Sequence, residues 1–315
     1  MSNKKTKGKY CSFQALRSSI AVTLLWMGTT VGAATHLLPD QHHFISVNGA
    51  LGYTAVTNNV VDVALGSGVN TSIGVGYRLF HNSFLFSAGI DGSYRFVTHS
   101  MADSRCQLDM IDTEGMPFKM DADATNGADV CHAVNLNIPI LVGGEFQRFY
   151  FLVGPMLSVN LWGSTSAKAM LTTTGEYDRY FDHFEDMPNH YFSTVPLSSG
   201  TQSVSFQIDV LAHAEIGWRL GKFYSQTGAD VPKPKQRYYI ALYADYGLLN
   251  IHRNVAKGDR LSYEETELQG LQFNLTPALL STELKGAQLH QFSVGIKVTF
   301  LFELPQRKIC VFCRD

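Results

Sequence analysis

Gln291-Phe292-Ser293-Val294-Gly295-Ile296-Lys297-Val298-Thr299-Phe300-Leu301-Phe302-Glu303 alternates large apolar side chains with small, polar or charged ones, broken only at Leu301. Side chains of a β-strand point to opposite faces in turn, so this segment has one apolar face and one mostly hydrophilic face. Residues 204–220 repeat the pattern, with Val204, Phe206, Ile208, Val210, Ala212, Ala214, Ile216, Trp218 and Leu220 on one row. Ser205, Gln207, Asp209, His213, Glu215, Gly217 and Arg219 form the other. Globular strands usually run to about 3–10 residues, whereas a tilted membrane-crossing strand needs about 9–11 and can continue past the lipid. Length therefore favours a membrane-crossing strand.

Eight such runs lie at 44–55, 69–80, 83–98, 132–146, 148–162, 203–220, 236–250 and 287–303. The second joins the third through His81-Asn82, and the fourth joins the fifth through Gln147. The links after the first, third, fifth and seventh runs are long. The link after the sixth carries Val231-Pro232-Lys233-Pro234-Lys235 and is assigned to the short-turn side. Short turns on one side and long loops on the other characterise outer-membrane barrels. The expected fold is all-β: an antiparallel up-and-down transmembrane β-barrel of eight strands over residues 34–303. Its external loops would be 99–131, 163–202 and 251–286, with a short periplasmic tail at 304–315. Tyr53, Tyr77, Phe96, Phe149, Trp162, Trp218 and Tyr246, near strand ends, suit aromatic girdles at the two lipid interfaces.

The N-terminus reads as an address for export. Lys4, Lys5, Lys7, Lys9 and Arg17 precede an uncharged apolar stretch that closes on Val31-Gly32-Ala33-Ala34, the pattern of a cleaved signal peptide over residues 1–33. The whole chain has a formal charge of −2, with 45% hydrophobic and 17% charged residues. Loss of those five basic residues from 25 leaves 20 against 27 acidic ones, a net of −7. That balance excludes nucleic acid as a main partner. Mean hydropathy of −0.02 excludes a bundle of membrane-spanning helices and a disordered chain.

With signal peptide, eight amphipathic runs and the aromatic-ended segment Val294 to Phe302, the chain resembles the small outer-membrane β-barrel proteins of Gram-negative bacteria, most closely the porin-family barrels of the Bacteroidetes type. The resemblance implies a cell outer membrane location, contact with its lipid and lipopolysaccharide, and a last strand read by the barrel-insertion machinery. In this chain residues 304–315 follow that strand, which leaves the signal internal.

If the apolar rows face lipid, Arg78, Asp91, Arg95, Glu145, Asp209, His213, Glu215, Arg219, Asp245, Lys297 and Glu303 face inward. An eight-stranded barrel is just wide enough for side chains to fill it, so these charges are expected to form a plug of ion pairs. The expected role is structural or surface-interacting, without catalysis, cofactor or metal. Two alternatives stand beside it: a narrow pore for ions or small solutes, and an outer-membrane lipid hydrolase or acyltransferase, which would require His213 beside a Ser or Asp at the outer rim.

Other motifs are weak. Gly66-Ser67-Gly68 lacks the third glycine of a dinucleotide loop. Asp121-Ala122-Asp123-Ala124-Thr125-Asn126-Gly127 begins like a calcium loop, but Thr125, the late Gly127 and His132 in place of a final glutamate depart from it. Cys106, Cys131, Cys310 and Cys313 can pair in three ways, and barrel topology leaves Cys106–Cys131 and Cys310–Cys313 as the candidate disulfides. Residues 175–192 mix aromatic and charged side chains, as contact surfaces do, and offer an extracellular partner a surface. Residues 251–286 read as a solvated loop.

Overall fold

In a chain whose side chains alternate this regularly, neighbouring strands can pair until none is left with an open edge. The computed structural model describes residues 41–58, 66–100, 102–111, 115, 117–176, 183–184, 192–221, 236–253, 256–266 and 270–305. The signal-peptide reading, Cys310 and Cys313 fall outside them, as does most of 175–192.

Strands β1 (Gln41–Asn58), β2 (Gly66–His81), β3 (Phe84–Ser100), β4 (Ser104–Ile111), β5 (Pro117–Phe146), β6 (Phe149–Glu176), β7 (His183–Phe184), β8 (Thr194–Ser198), β9 (Gln202–Ser203), β10 (Asp209–Leu220), β11 (Gln236–Gly247), β12 (Leu261–Thr266), β13 (Gly270–Leu275) and β14 (Leu289–Glu303) follow in order. Eight of them, β1, β2, β3, β5, β6, β10, β11 and β14, pair in that sequence. Antiparallel pairing of β1 with β14, from Phe44 opposite Glu303 to Asn58 opposite Leu289, closes the ring. The hairpins β2–β3 and β5–β6 turn through Asn82-Ser83 and Gln147-Arg148, where Asn82 and Gln147 take left-handed φ values of 53° and 57°. Both termini of the ring lie at this short-turn end.

The alternating rows separate as the period demands. Val294, Ile296, Val298, Phe300 and Phe302 are exposed on the outside, with Ile296 51% accessible, while Gln291, Ser293, Lys297, Thr299 and Leu301 are buried inside. Leu51, Ile73, Val75, Ile140, Phe151, Ile216 and Leu242 extend the exposed apolar band around the ring. Room for large inward side chains comes from glycine: a Cβ on Gly52 would strike the Tyr243 hydroxyl, and one on Gly217 would strike the Tyr150 ring.

Two strands outgrow the barrel. β5 has 30 residues and β6 has 28, against the roughly 9–11 that cross lipid. Their outer halves continue as a sheet beyond the ring, with β4 on the free side of β5 and β7, β8 and β9 on the free side of β6. One face of this outer sheet is lined by small residues, Ala122, Ala124, Ala167 and Ala169, and against them packs the β12–β13 hairpin through Leu261, Leu275 and Phe273.

Three expectations are corrected here. Residues 251–286 are not a solvated loop: besides the hairpin they form two 3₁₀ turns, Ala278–Leu280 and Thr282–Leu284, and bury Ile251, Leu279, Leu280 and Leu284. The segment is polar on average, and its scattered apolar residues become a core only because the outer sheet and the barrel mouth face them. Residues 204–208 belong to no strand, since β10 begins at Asp209; Val204 and Phe206 turn in against that mouth core instead of facing lipid. Asp121 to Thr125, expected within the external loop 99–131, are consecutive residues of β5, where Asn126, with φ of 52°, marks a bulge between Thr125 and Ala128.

A cation placed near the middle of the outward row costs about 2–4 kcal/mol. Ile296→Lys is expected to lose stability of that size in lipid vesicles by denaturant titration, and Thr57→Lys, at the extracellular end of β1, to lose much less.

Candidate functional site

The interior is layered along the barrel axis. At the short-turn end Phe44, Phe80, Leu85, Leu141, Leu152, Tyr150, Tyr239 and Leu301 form an apolar layer. It explains the break in alternation at Leu301, which fills this layer and is fully buried. Arg237 lies over the Phe44 and Phe80 rings at 4.7 and 5.0 Å, and Glu145 ties it to Arg219 at 3.0 Å and to the Tyr239 hydroxyl at 3.0 Å.

Above this layer Glu215 is the centre of the buried charge. Arg78 donates to its Oε1 at 3.1 Å, Lys297 to its Oε2 at 2.9 Å, and the Tyr150 hydroxyl donates to Oε1 as well. Arg78 also sits over the Tyr150 and Tyr239 rings at 5.3 and 5.9 Å. His213 joins the cluster from the same strand face, with Nε2 3.5 Å from Glu215 and Nδ1 2.5 Å from Asp245. Further out the donors become uncharged amides and hydroxyls: Asn48 donates to the Asp91 carboxylate at 3.2 Å, and Asn137 links Ser93 and Ser158 at 2.9 and 2.7 Å.

Nearest the mouth, Asp209 accepts from the Gln291 amide at 2.7 Å and from the Leu249 backbone N–H at 3.1 Å. The Gln291 side-chain oxygen in turn accepts from Arg95. The lumen charges thus fall into two kinds. Arg78, Glu145, His213, Glu215, Arg219, Asp245 and Lys297 meet opposite charge, whereas Asp91, Arg95 and Asp209 are held through uncharged amides. Glu303 lies at the periplasmic rim, 3.0 Å from His42.

Tyr150, Tyr239, Tyr243, Gln291 and the Arg260–Asp129 pair at 2.9 Å were not singled out from the sequence. The first four were legible: Tyr150 lies between the outward Phe149 and Phe151, and period two turns it inward. Arg260 and Asp129 are joined by the cap, which no local pattern announces.

The Cys106–Cys131 disulfide is contradicted, because both thiols are free. Cys106 stands opposite Ala122, nine positions from Cys131 along β5, roughly 30 Å at about 3.3 Å per residue, while a disulfide spans at most about 7 Å between Cα atoms. Burial, with Asp259 nearby, pushes the Cys106 thiol up, away from the reactive thiolate.

A closed ring with a continuous apolar outer band and a polar filled interior is the structure that a lipid bilayer requires of strands. This chain is a closed transmembrane β-barrel. The sequence matches no family model and no curated protein. Among solved structures it is similar to Ail, the attachment invasion locus protein of Yersinia pestis crystallised with the heparin analogue sucrose octasulfate, at 10% identity over 82% of this chain and 99% of that one, TM-score 0.21. It is also similar to the outer-membrane protease OmpT of Escherichia coli, at 10% identity over 86% and 99%, TM-score 0.27, and to the translocator domain of the autotransporter NalP of Neisseria meningitidis, at 8% identity over 91% and 97%, TM-score 0.19. With overlap that low, the assignment rests on ring closure and the apolar band.

Removing one partner from a buried ion cluster typically costs about 3–5 kcal/mol, because the opposite charge is left uncompensated. Glu215→Ala strands both Arg78 and Lys297 and is expected to lose at least that much by denaturant titration. Lys297→Ala leaves Arg78 on Glu215 and is expected to lose less. At the mouth, burial holds the His252 imidazole below its ordinary value. The unfolded cap then binds more protons than the folded one, so cap stability is full at neutral pH and falls as pH drops through about 6.5. Protection factors of residues 278–289, taken relative to the intrinsic amide exchange rate at each pH, are expected to fall on acidification, and less so in His252→Gln.

Proposed function

We propose that this protein is a closed outer-membrane barrel whose role is structural or surface-interacting, carried by the sheet and cap beyond the lipid and not by transport or catalysis. The observation that carries the reading is the stack of side-chain layers, from the apolar layer at Leu301 through the Glu215 cluster to the Asp209–Gln291–Arg95 chain. An eight-stranded ring has no width to spare once such side chains are inside it. The outer sheet offers a partner a charged face: Arg105 bonds Asp121 and lies 3.5 Å from Asp123, Gln107 donates to Asp121 at 3.0 Å, and Ile111, further along β4 on the same row, is 71% exposed. Such a mixture of charge with exposed apolar side chains suits an extracellular protein partner. Lipid and lipopolysaccharide around the apolar band, and the insertion machinery during assembly, complete the proposed set of contacts.

The narrow-pore alternative draws on two cavities inside the ring, of about 30 and 20 Å³, each large enough for little more than water. The hydrolase or acyltransferase alternative draws on the His213–Asp245 pair, which lies inside the ring at the level of the apolar band and away from any lipid surface.

Protein shown to be inserted in a planar bilayer is expected to give no single-channel steps. Reproducible ohmic steps would overturn the closed-barrel reading and turn the inward charges into a selectivity filter.

A further inference from the structure

The two edges of the outer sheet are built differently. On the β6 side it ends in short pieces, β7 and β9 of two residues each and β8 of five residues with Pro196 inside it. Short strands and proline blunt an edge against further pairing. On the β5 side it ends in β4, eight residues paired without a break from Ser104 opposite Ala124 to Ile111 opposite Pro117. Among the described residues β4 pairs with β5 and with no further strand. Ser104-Arg105-Cys106-Gln107-Leu108-Asp109-Met110-Ile111 contains neither proline nor lysine, and no bulge turns it aside. An edge left unblunted presents its backbone N–H and C=O groups to an extended chain that reaches it.

Register decides which chain fits. Cys106, Leu108 and Met110 turn toward the apolar core of the outer sheet, while Arg105, Gln107 and Asp109 are exposed on the other face. A second copy can pair edge to edge about a two-fold axis normal to the sheet, which makes the strands antiparallel and keeps like faces together. Opposed residues then share a face, so the axis passes through a residue. With the axis at Gln107, Arg105 of each copy stands opposite Asp109 of the other, and Cys106 stands opposite Leu108 on the core side. An axis at Cys106 would set Asp109 against Asp103, and one at Leu108 would set Arg105 against Ile111. Of these three central registers, the one at Gln107 alone opposes charges of opposite sign, and such cross-strand pairs stabilise where like charges destabilise.

We propose that β4 recognises β4 of a second copy of this chain, the two outer sheets joining antiparallel about Gln107 into one continuous sheet. The proposal rests on the surface-interacting reading above and names the partner. β4 pairs with β5, and β5 runs on into the ring, so the direction of β4 follows that of the barrel strands. An antiparallel join reverses the second barrel relative to the first. The two barrels therefore enter facing membranes, and the contact holds those membranes together rather than clustering copies within one of them.

The test is tethering between two populations of phosphatidylcholine vesicles carrying the protein and labelled with different dyes, scored as two-colour coincidence, with folding checked by circular dichroism. Many copies per vesicle make a weak contact measurable. Wild-type vesicles are expected to tether one another and to ignore empty vesicles. Asp109→Arg sets arginine against arginine, and Arg105→Glu sets glutamate against aspartate, so each variant is expected to lose tethering to itself. Mixing Asp109→Arg vesicles with Arg105→Glu vesicles restores both opposite-sign pairs, and tethering is expected to return, a rescue that no structural defect in either variant would give. If Arg105→Glu does not fold once its contacts with Asp121 and Asp123 are lost, Gln107→Cys decides. The axis sets position 107 opposite itself at roughly 4.5–5.5 Å between Cα atoms, within disulfide reach. Oxidation of tethered Gln107→Cys vesicles is expected to give a covalent dimer above the wild-type level, and Asp109→Cys is expected to give none. Absence of wild-type tethering, equal tethering to empty vesicles, undiminished self-tethering of Asp109→Arg, no recovery on mixing the folded variants, or no dimer through position 107 would overturn the proposal. Single-channel steps bear on the closed-barrel reading alone, which keeps the two failures apart.

Discussion

Pairing of β1 with β14 is the constraint from which the rest follows. In hydrocarbon an unpaired backbone N–H or C=O has no water to turn to, so a sheet that enters the membrane must have no edge. The fifteen-residue register from Phe44–Glu303 to Asn58–Leu289 satisfies that requirement. Closure also fixes the inside volume, and with eight strands the inside has to be filled by the side chains that alternation sends there. The interior layers are therefore a consequence of the seam as much as of their own chemistry.

Those layers differ in how they satisfy burial. At the short-turn end, aromatic and aliphatic side chains need no partner, and Arg237 uses ring faces and Glu145. In the middle, one carboxylate, Glu215, is shared between two cations and a tyrosine. Toward the mouth, amides and hydroxyls take over, and Arg95 is left with an amide where Arg78 has a carboxylate. Polarity is graded so that the best-paired charges lie deepest in the band and the least-paired one lies beside the cap.

Outside the lipid the architecture follows different rules. The outer halves of β5 and β6 lack the ring's protection, and they gain stability by burying one face under the β12–β13 hairpin while presenting charge on the other. Alanines at 122, 124, 167 and 169 make that face shallow enough for Leu261, Leu275 and Phe273 to seat. A distal cluster of Leu108, Phe118, Met120 and Phe192 extends the same core toward the tip.

The sequence by itself determined the period of two, the split into outward and inward rows, the eight membrane-crossing runs and the inward direction of Lys297, Glu215 and Arg95, because side-chain direction in a strand is a local property of the backbone. It was silent on which inward charges meet, since Arg78 and Glu215 are 137 positions apart and depend on strand register around a closed ring. It misread 251–286, whose apolar residues have no period and become a core only when the mouth and the outer sheet face them, and 204–208, whose period of two runs on past Asp209, where pairing with β6 begins. The separation of Cys106 from Cys131 likewise depends on how far β5 runs beyond the barrel, which tertiary pairing with β4 and β6 alone decides.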